Sequence, residues 1–352
     1  PRTSRFLQRD RSCSGQRGKT LAIESQQQAF EKFEKKAVRV PDPDNGEAKR
    51  VHPEITGTVK EKLDTVIRCF LSGSYSRKVQ VVRLNDVDVI VVLADPEGKY
   101  SGSALAALED IRTAAENCDM VLDTDLGVRA VKLVLRDHEF TVDLVAALEP
   151  KNREDGLLLA RHLPDEGHDD WQLLNPKGQR KAASVKNDEC DGIYIPGVRT
   201  VKFWNEGLDK PLRSYHAEAI LWHALDGPVE YPELVVEFFD EAYERLAPGA
   251  TTPDPGAPNA DPVDKRLEDC ERYTARNKVE DARRIAHEAF EKEDLEESLE
   301  RWADLFGPSF PTSGTSTNNL GAALGAGATI QGPGVRPGKG RETIKSRSWR
   351  KG

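Results

Sequence analysis

The chain has 352 residues, of which 32% are charged, and a formal net charge of −9 at pH 7. This length allows two lobes and a tail, and the acidic balance argues against constitutive binding of a long nucleic acid, which needs Lys and Arg clustered over a broad face. The five cysteines are scattered without a Cys-x-x-Cys pair, which argues against a zinc site and against a disulfide framework.

The N-terminal segment, residues 1–24, is polar and basic, and we predict that it is disordered. It lacks the apolar core of a secretory signal, and no run of about 18 apolar residues predicts a membrane helix elsewhere. We therefore expect a protein of the reducing cytoplasm, without membrane contact.

The next segment, residues 25–155, has the alternating helix and strand patterns of an α/β lobe. The apolar run Val66–Leu71 predicts a strand, and Ser101 or Ser103 is the predicted N-cap of a helix. Helical spacing of apolar residues predicts three helices: Gln26–Val38, Thr56–Ile67 and Ser101–Cys118.

The most informative segment of this lobe joins a glycine turn to two carboxylates. Gly73 lets the backbone approach a phosphate closely, and Ser74 can donate both its N–H and its hydroxyl. In the following strand, Asp86 and Asp88 share one face because side chains alternate, while the valines beside them point to the core. Two strand residues separate the two Cα atoms by roughly 6.6 Å, which suits a pair of Mg²⁺ ions, or Mn²⁺, bridged by phosphate oxygens.

Asp143 is the best candidate for the third carboxylate that a two-metal site needs. Residues Arg129–Leu135 and Glu139–Val145 alternate in polarity and predict an antiparallel hairpin, which would place Asp143 beside the first pair. Its predicted role is to ligate the metal that lowers the pKa of an attacking ribose hydroxyl.

Each of these pieces also has a purely structural interpretation. A Gly-Ser turn is common, an Asp-x-Asp strand is often only a solvent-facing strand, and one further strand Asp proves nothing by itself. Their order on neighbouring elements favours a metal-dependent nucleotidyl-transfer site.

Residues 156–311 are predicted to form a second, mainly helical lobe, because strand patterns fade from Leu157 onward. Asn175-Pro176-Lys177 predicts a turn, and the Pro-rich stretch Pro248–Pro262 is expected to loop out. Residues 312–352 are rich in Gly, Ser and Thr and then basic, which predicts a disordered tail. The predicted helices of this lobe are Val198–Glu206, Ser214–Leu225 and a charged helical region, Lys265–Phe306.

Three residues of the helical lobe are candidates for holding a nucleotide in a cleft between the lobes. Lys202, predicted between an apolar stripe and solvent, could neutralise a triphosphate. Ser214 at a helix N-terminus could bind phosphate, and Tyr215 could stack on a base. The structural alternative is a solvated lysine, an N-cap serine and a core tyrosine.

Several segments occur in a specific order: Phe70-Leu71-Ser72-Gly73-Ser74-Tyr75 with Arg77, Leu84-Asn85-Asp86-Val87-Asp88-Val89, Thr141-Val142-Asp143, Trp171 with Asn175-Pro176-Lys177, Val201-Lys202-Phe203-Trp204-Asn205, Ser214-Tyr215-His216, and Arg301-Trp302-Ala303-Asp304-Leu305-Phe306-Gly307 ahead of Phe310-Pro311. In these motifs, residues 25–311 resemble the CD-NTase family, bacterial cyclic-oligonucleotide synthases related to animal cyclic GMP–AMP synthase and oligoadenylate synthase.

The resemblance implies an α+β fold, in which a polymerase-β-like nucleotidyltransferase lobe with a mixed sheet and a mainly helical lobe have the active site between them. It implies that nucleoside triphosphates such as ATP or GTP are joined, with release of pyrophosphate, into a cyclic di- or trinucleotide that signals phage infection in CBASS defence. The residue roles that it implies are triphosphate binding by Gly73 and Ser74, with Arg77 in the same motif; Mg²⁺ binding by Asp86, Asp88 and Asp143; donor-phosphate contacts by Lys202 and Ser214; and base stacking by Tyr215.

The chain departs from the family in one place. Members often have Thr in a basic-Thr-apolar run soon after the Gly-Ser pair, where this chain has Lys78-Val79-Gln80. The departure affects any contact that a hydroxyl would make there, for example to the acceptor nucleotide, and leaves the metal chemistry intact.

Two other functions stay open. A nucleotidyltransferase acting on an RNA 3′ end, a protein or a small molecule would share the Gly-Ser and Asp-x-Asp motifs. A catalytically silent binding platform would usually lack one carboxylate, whereas this chain has all three.

The basic tail gives a secondary hypothesis. Related synthases are joined through their C-terminus to targets by ubiquitin-like ligation machinery, so Gly352 is a candidate conjugation point, and ligation or other regulatory proteins of the same defence system are candidate partners. The structural alternative is a solvated basic tail.

Overall fold

The computed structural model describes residues 23–82, 84–151, 156–163 and 168–312. In this part of the chain the strands are β1 (Val66–Leu71), β2 (Asp86–Leu93), β3 (Val121–Leu126), β4 (Ala130–Leu135), β5 (Thr141–Leu148), β6 (Leu157–Leu163) and β7 (His168–Leu174). The α-helices are α1 (Gln26–Phe33), α2 (Asp42–Lys62), α3 (Gly73–Arg77), α4 (Lys99–Gly102), α5 (Ala104–Ala115), α6 (Pro176–Glu189), α7 (Tyr194–Gly207), α8 (Ser214–Ala224), α9 (Tyr231–Arg245), α10 (Asp269–Phe290) and α11 (Leu295–Phe306). A π-helical segment, Glu34–Val38, continues α1 to the predicted end of that helix.

The strands form one mixed sheet. Its order is β1-β2-β5-β4-β3, and β6 pairs with the far end of β5 and with β7. Strands β2 and β5 are parallel to each other, whereas the other pairs are antiparallel. Together with the helices of the second half, this confirms the predicted α+β fold with a mixed sheet.

The strands and helices around the candidate site lie close to their predicted positions. Strand β1 has its predicted bounds, and β4 and β5 form the predicted antiparallel hairpin. The predicted helix from Ser101 is two helices, α4 and α5, separated at Ser103, whose hydroxyl accepts a hydrogen bond from the Ala106 N–H at 3.2 Å as the N-cap of α5. The helix predicted at Thr56–Ile67 is the end of α2, which stops at Lys62.

The prediction that strand patterns end before Leu157 is wrong, because β6 and β7 follow that point and extend the sheet. The apolar run at the start of β6 and the polar start of β7 both lack alternation, so period-two patterning does not reveal them. Strand β3 was missed for the same reason, since its exposed Asp123 and Asp125 give it the polarity of a loop.

The Asn175-Pro176-Lys177 segment is the start of a helix rather than a turn. Asn175 is the N-cap of α6 and its side chain accepts a hydrogen bond from the Gly178 N–H at 2.8 Å, while Pro176 occupies the first helical turn. The same residue types start helices and make turns, so the local pattern alone does not distinguish them. Helix α9 was not predicted either.

Two large apolar cores hold these elements. The sheet core contains the inward face of β2 and β5, where Val87, Val89 and Val142 are fully buried. The helical core is aromatic, and the ring of Phe30 in α1 stacks on Tyr231 and meets Trp302 edge-on. Helix α1 packs in the helical core although it precedes residue 155, and β6 and β7 belong to the sheet although they follow it. A boundary at residue 155 therefore does not separate the two cores.

Candidate active site

The three predicted carboxylates lie on one face of the sheet. Asp88 on β2 is directly beside Asp143 on the parallel strand β5, and Asp86 is two residues earlier on β2, beside Thr141. Asp86 is exposed and the other two are half-buried, while the alternate residues Val87 and Val142 are fully buried on the opposite face. The sheet register therefore brings the trio together, oriented away from the core.

The electrostatics of this trio are unfavourable in the protein alone. Burial, and to a smaller extent the neighbouring carboxylates of Asp86 and Asp143, raise the pKa of Asp88 to about 6. Burial also raises the pKa of Asp143, against the opposing effect of Lys132 on β4. One oxygen of Asp143, Oδ1, is buried and has no hydrogen-bond partner in the described part of the chain. A bound cation would stabilise the ionised carboxylates and give the Asp143 oxygen a partner.

The donor set suits a hard divalent cation, because Mg²⁺ prefers carboxylate oxygens. Within the described residues, no three His, Cys, Asp or Glu side chains are already arranged as a metal site. The residue types and the unpartnered Asp143 oxygen fit Mg²⁺, and the assignment of Asp86, Asp88 and Asp143 as its ligands stays a prediction.

Gly73 is required at its position by Asp88. It begins the short helix α3 with a φ of +60°, and a Cβ at this residue would lie 1.6 Å from Asp88 Oδ2. The backbone of the turn is held to β2 because the Ser72 N–H donates to the Asp88 carbonyl at 2.8 Å. Ser74, the other predicted phosphate contact, is the half-buried second residue of α3.

Arg77 and Lys202 are buried and already paired within the protein. Arg77 Nε donates to Glu218 Oε1 at 2.7 Å, and Lys202 Nζ donates to the Val79 carbonyl at 2.9 Å. The expectation of a partly solvated Lys202 is wrong, since the residue is 4% exposed, and its burial lowers its pKa. Whether either side chain contacts a nucleotide phosphate stays a prediction.

Ser214 and Tyr215 begin helix α8. Ser214 is the first helical residue and Arg213 is the N-cap, so the alternative of an N-cap serine is wrong by one residue. The Tyr215 hydroxyl donates to Asp254 Oδ1 at 2.6 Å, and the Arg77 guanidinium lies 5.0 Å from the centre of the tyrosine ring. Burial and the Asp254 carboxylate both raise the pKa of Tyr215, so the phenol stays protonated.

A cavity of about 600 Å³ lies between the sheet and the helical half. Of the predicted site residues, its lining contains Gly73, Arg77, Asp88, Asp143 and Tyr215. Asp86, Ser74, Lys202 and Ser214 are outside that lining, although Asp86 and Lys202 are close enough to change the pKa of Asp88. The last predicted residue, Gly352, lies outside the described residues.

Asp254 is a residue of the site that the sequence analysis missed. It belongs to the Pro-rich stretch, which was expected to loop out but instead packs against the cavity, leaving Asp254 4% exposed. Its carboxylate accepts hydrogen bonds from Tyr215, from Gln179 Nε2 at 3.0 Å and from the Gly256 N–H at 2.8 Å. Prolines on both sides of Asp254 suggested only a turn, and no local pattern reveals its distant partners.

In the described ranges, none of the helices combines the length and the apolar character that crossing a membrane requires. The described cysteines are all free thiols: Cys69, Cys118, Cys190 and Cys270.

The chain is similar in sequence to bacterial cyclic-nucleotide synthases, although no family model matches it. It is 33% identical over 165 residues to a probable cyclic AMP-AMP-GMP nucleotide synthase of Salmonella paratyphi B, an alignment that covers 43% of this chain and 42% of the relative. The chain thus matches less than half the length of that relative. A cyclic AMP-AMP-AMP synthase of an Acinetobacter species is 25% identical over 300 residues, covering 78% of this chain and 84% of the relative.

Solved structures show the same fold. CdnC of E. coli, determined with ATP, superposes with a TM-score of 0.64 at 20% identity over 81% of this chain and 98% of CdnC. The Bradyrhizobium diazoefficiens CD-NTase CdnG, in complex with GTP, gives a TM-score of 0.66 at 11% identity over 82% of this chain and 98% of CdnG. The chain therefore has the fold of the CD-NTases and resembles their cyclic-nucleotide synthases in sequence, as its motifs predict.

Proposed function

We propose that this protein is a nucleotidyltransferase that joins nucleoside triphosphates into a cyclic oligonucleotide second messenger for bacterial anti-phage defence. The observation that carries the proposal is the pairing of Asp88 with Asp143 on parallel strands, with the Gly73 turn packed directly against Asp88. The similarity to cyclic-nucleotide synthases supports it further.

The proposed reaction is the attack of a 2′- or 3′-hydroxyl of one nucleotide on the α-phosphorus of another. A new ester P–O bond forms, the bond to the β-phosphate oxygen breaks, pyrophosphate leaves with the electron pair, and the hydroxyl proton passes to solvent. Divalent metal held by Asp86, Asp88 and Asp143 would supply charge neutralisation of the phosphates and a lowered pKa of the hydroxyl.

The protein contributes positioning. The glycine turn lets a triphosphate approach the carboxylates, and the Tyr215 ring forms one wall of the cavity, where a base can stack. Asp254 fixes the orientation of that ring through its hydrogen bond to the phenol. Repeating the reaction with the linear product in the same cavity would close the ring.

We propose ATP as a substrate, because AMP occurs at two or more positions in the products named for the Salmonella and Acinetobacter relatives. A cyclic trinucleotide is the product that both names support. We further propose that the protein works in the cytoplasm, where its free cysteines suit a reducing environment.

The test is incubation of the purified protein with each labelled triphosphate and Mg²⁺ or Mn²⁺, without a primer, followed by phosphatase. A cyclic product has no terminal phosphate, so we expect a label that resists phosphatase. The Asp86→Ala/Asp88→Ala double variant should give none while staying folded, because these side chains lie outside the core.

Three outcomes would contradict the proposal. Product from the double variant would show that the metal site is elsewhere. Turnover that requires an added RNA, protein or small-molecule acceptor would favour the other nucleotidyltransferase classes. Binding of triphosphates without turnover under every condition would favour a silent binding platform.

A further inference from the structure

A cluster of arginines lines the same cavity as Asp88 and Asp143. Arg129 precedes strand β4, Arg213 is the N-cap of α8, and Arg266 follows the Pro-rich stretch, and all three line the cavity. On β4, Lys132 is the register partner of Asp143, and Arg129 is three residues before it, roughly 10 Å along the strand. Three separate elements thus bring cations to one place.

The three arginines of this cluster form no ion pair with any described residue, whereas nearby Arg161 pairs with Asp170 at 3.2 Å and Lys265 with Asp261 at 2.8 Å. Burial lowers the pKa of Arg129, and the charges of Arg266, Arg161 and Arg213 lower it further, against the opposing effect of Asp170. Repulsion between like charges in a cavity destabilises the folded protein unless an anion binds between them.

Arg129 is also held in position. One of its terminal nitrogens donates to Gln172 Oε1 at 2.6 Å, and Gln172 on β7 lines the same cavity. This bond holds the guanidinium at the cavity, and the Arg129 side chain makes no other hydrogen bond with the described residues. Arg213 and Arg266 are exposed, so an anion can reach them from solvent.

We propose that the arginine cluster is a second anion site, which binds the 5′-triphosphate of the nucleotide whose hydroxyl attacks. The proposal rests on the proposed function. A nucleotide whose 2′- or 3′-hydroxyl lies at the carboxylates has its 5′-phosphates on the other side of the ribose, and Arg129 lies roughly 10 Å from the register position of Asp143 along β4, within reach of such a triphosphate. Guanidinium groups bind phosphate oxygens in a bidentate manner without a metal ion, so this site would not need the metal-binding carboxylates.

The same chemistry could recognise the 5′-triphosphate of a linear intermediate, so the experiment separates the two sources. The test variant is Arg213→Gln/Arg266→Gln, which removes two exposed charges that make no ion pair with described residues. The matched control is Arg136→Gln, at the other end of β4, where an exposed arginine donates only to the Asp119 carbonyl.

The first measurement is binding of inorganic tripolyphosphate in EDTA, which suppresses the metal-dependent site. We expect the double variant to bind about tenfold or more weakly than the wild type and Arg136→Gln to be unchanged, since hydrogen bonds to charged groups have effects of this size. The Arg213→Lys/Arg266→Lys variant should recover part of the affinity, because it restores charge without the bidentate geometry.

The second measurement is the rate of the first bond-forming step, with the attacking nucleotide supplied as a triphosphate or as a 5′-hydroxyl nucleoside. The variant should raise KM for the triphosphate acceptor severalfold with little change in kcat, and should not affect the nucleoside acceptor. If only the closure of an added linear triphosphate is slowed, the site serves the intermediate and the acceptor assignment is wrong.

Equal tripolyphosphate affinity of the double variant and the Arg136→Gln control would overturn the anion site itself. Failure of the proposed function is recognised separately, because the wild type would then form no phosphatase-resistant product, while tripolyphosphate binding in EDTA still reports on the arginines.

Discussion

The two walls of the cavity differ in how well their polar groups are satisfied. On the helical wall, Tyr215 and Gln179 both donate to Asp254, and Glu218 accepts from Arg77 of the glycine turn. On the sheet wall, Asp88 and Asp143 lie side by side on parallel strands, Asp86 is two residues earlier on β2, and one oxygen of Asp143 has no partner in the described part of the chain.

This difference indicates where binding energy would come from. Preorganised groups on the helical wall need no ligand to keep their positions, so they can orient a nucleotide. The sheet wall holds mutually repelling charges that lower stability, which is typical of a functional site kept at the expense of folding free energy. The strongest tests of this contrast disturb one wall at a time.

The largest expected effect comes from Gly73→Ala. The new Cβ would overlap Asp88 Oδ2 and would sit at a φ of +60°, so the carboxylate and the turn must both move. We expect synthesis of labelled product to fall by a factor of about a thousand or more, because a displacement near 1 Å at the reacting groups already costs about a hundredfold.

The matched glycine control is Gly57→Ala in helix α2, where a Cβ meets nothing within 4 Å. It should stabilise the protein by about 0.5–1 kcal/mol, since alanine is favoured over glycine inside a helix. Activity of Gly73→Ala close to that of Gly57→Ala would show that the contact between the turn and Asp88 is not needed for the reaction.

The second prediction concerns the stability of the sheet wall. An aspartate whose pKa rises to about 6 on folding favours the folded state less as pH increases, because the folded protein binds the proton more tightly than the unfolded chain. This loss develops between the ordinary value of 3.8 and about 6 and is complete above it. Asp88→Asn removes the charge, so the variant in EDTA should be more stable than the wild type at pH 7 by about 1–3 kcal/mol.

Denaturant unfolding at pH 4 and pH 7 measures this effect, and the advantage of the variant should be larger at pH 7. Asp281→Asn, at an exposed position on α10, is the control and should change little. Added Mg²⁺ should stabilise the wild type and have no effect on Asp88→Asn. A variant that is less stable than the wild type in EDTA at pH 7 would contradict the idea that the sheet wall carries an electrostatic cost.

The sheet wall could be predicted from the sequence because its geometry is local. Alternation on β2 fixes the shared face of Asp86 and Asp88, and the hairpin of β4 and β5 brings in Asp143. The parallel register of β2 and β5 could not be predicted from sequence patterns, because it depends on pairing between segments that are far apart in the chain.

The helical wall could be predicted only in part, for a related reason. Its key contacts join residues far apart in the chain, such as Tyr215 with Asp254 and Arg77 with Glu218. Periodicity places each residue on its helix, but nothing local shows that a Pro-rich stretch folds back onto the cavity or that Lys202 is buried. The arginine cluster was missed likewise, because its members come from three separate elements.

The smallest expected effect concerns this helical wall. Tyr215→Phe keeps the ring but removes the hydroxyl that donates to Asp254, leaving the carboxylate with its bonds to Gln179 and Gly256. Loss of one hydrogen bond to a charged group should cost about 1–3 kcal/mol of stability. The ring should also be less well oriented, so KM for the nucleotide should rise severalfold while kcat changes little.

Tyr273→Phe is the matched control, because that tyrosine is 69% exposed and lies away from the cavity. Its stability and KM should equal those of the wild type. Since the two variants make the same chemical change, any difference between them reports the bond to Asp254. A Tyr215→Phe variant that loses kcat rather than affinity would mean that the phenol acts on the reacting atoms, and the helical wall would then share in the chemistry instead of only orienting the nucleotide.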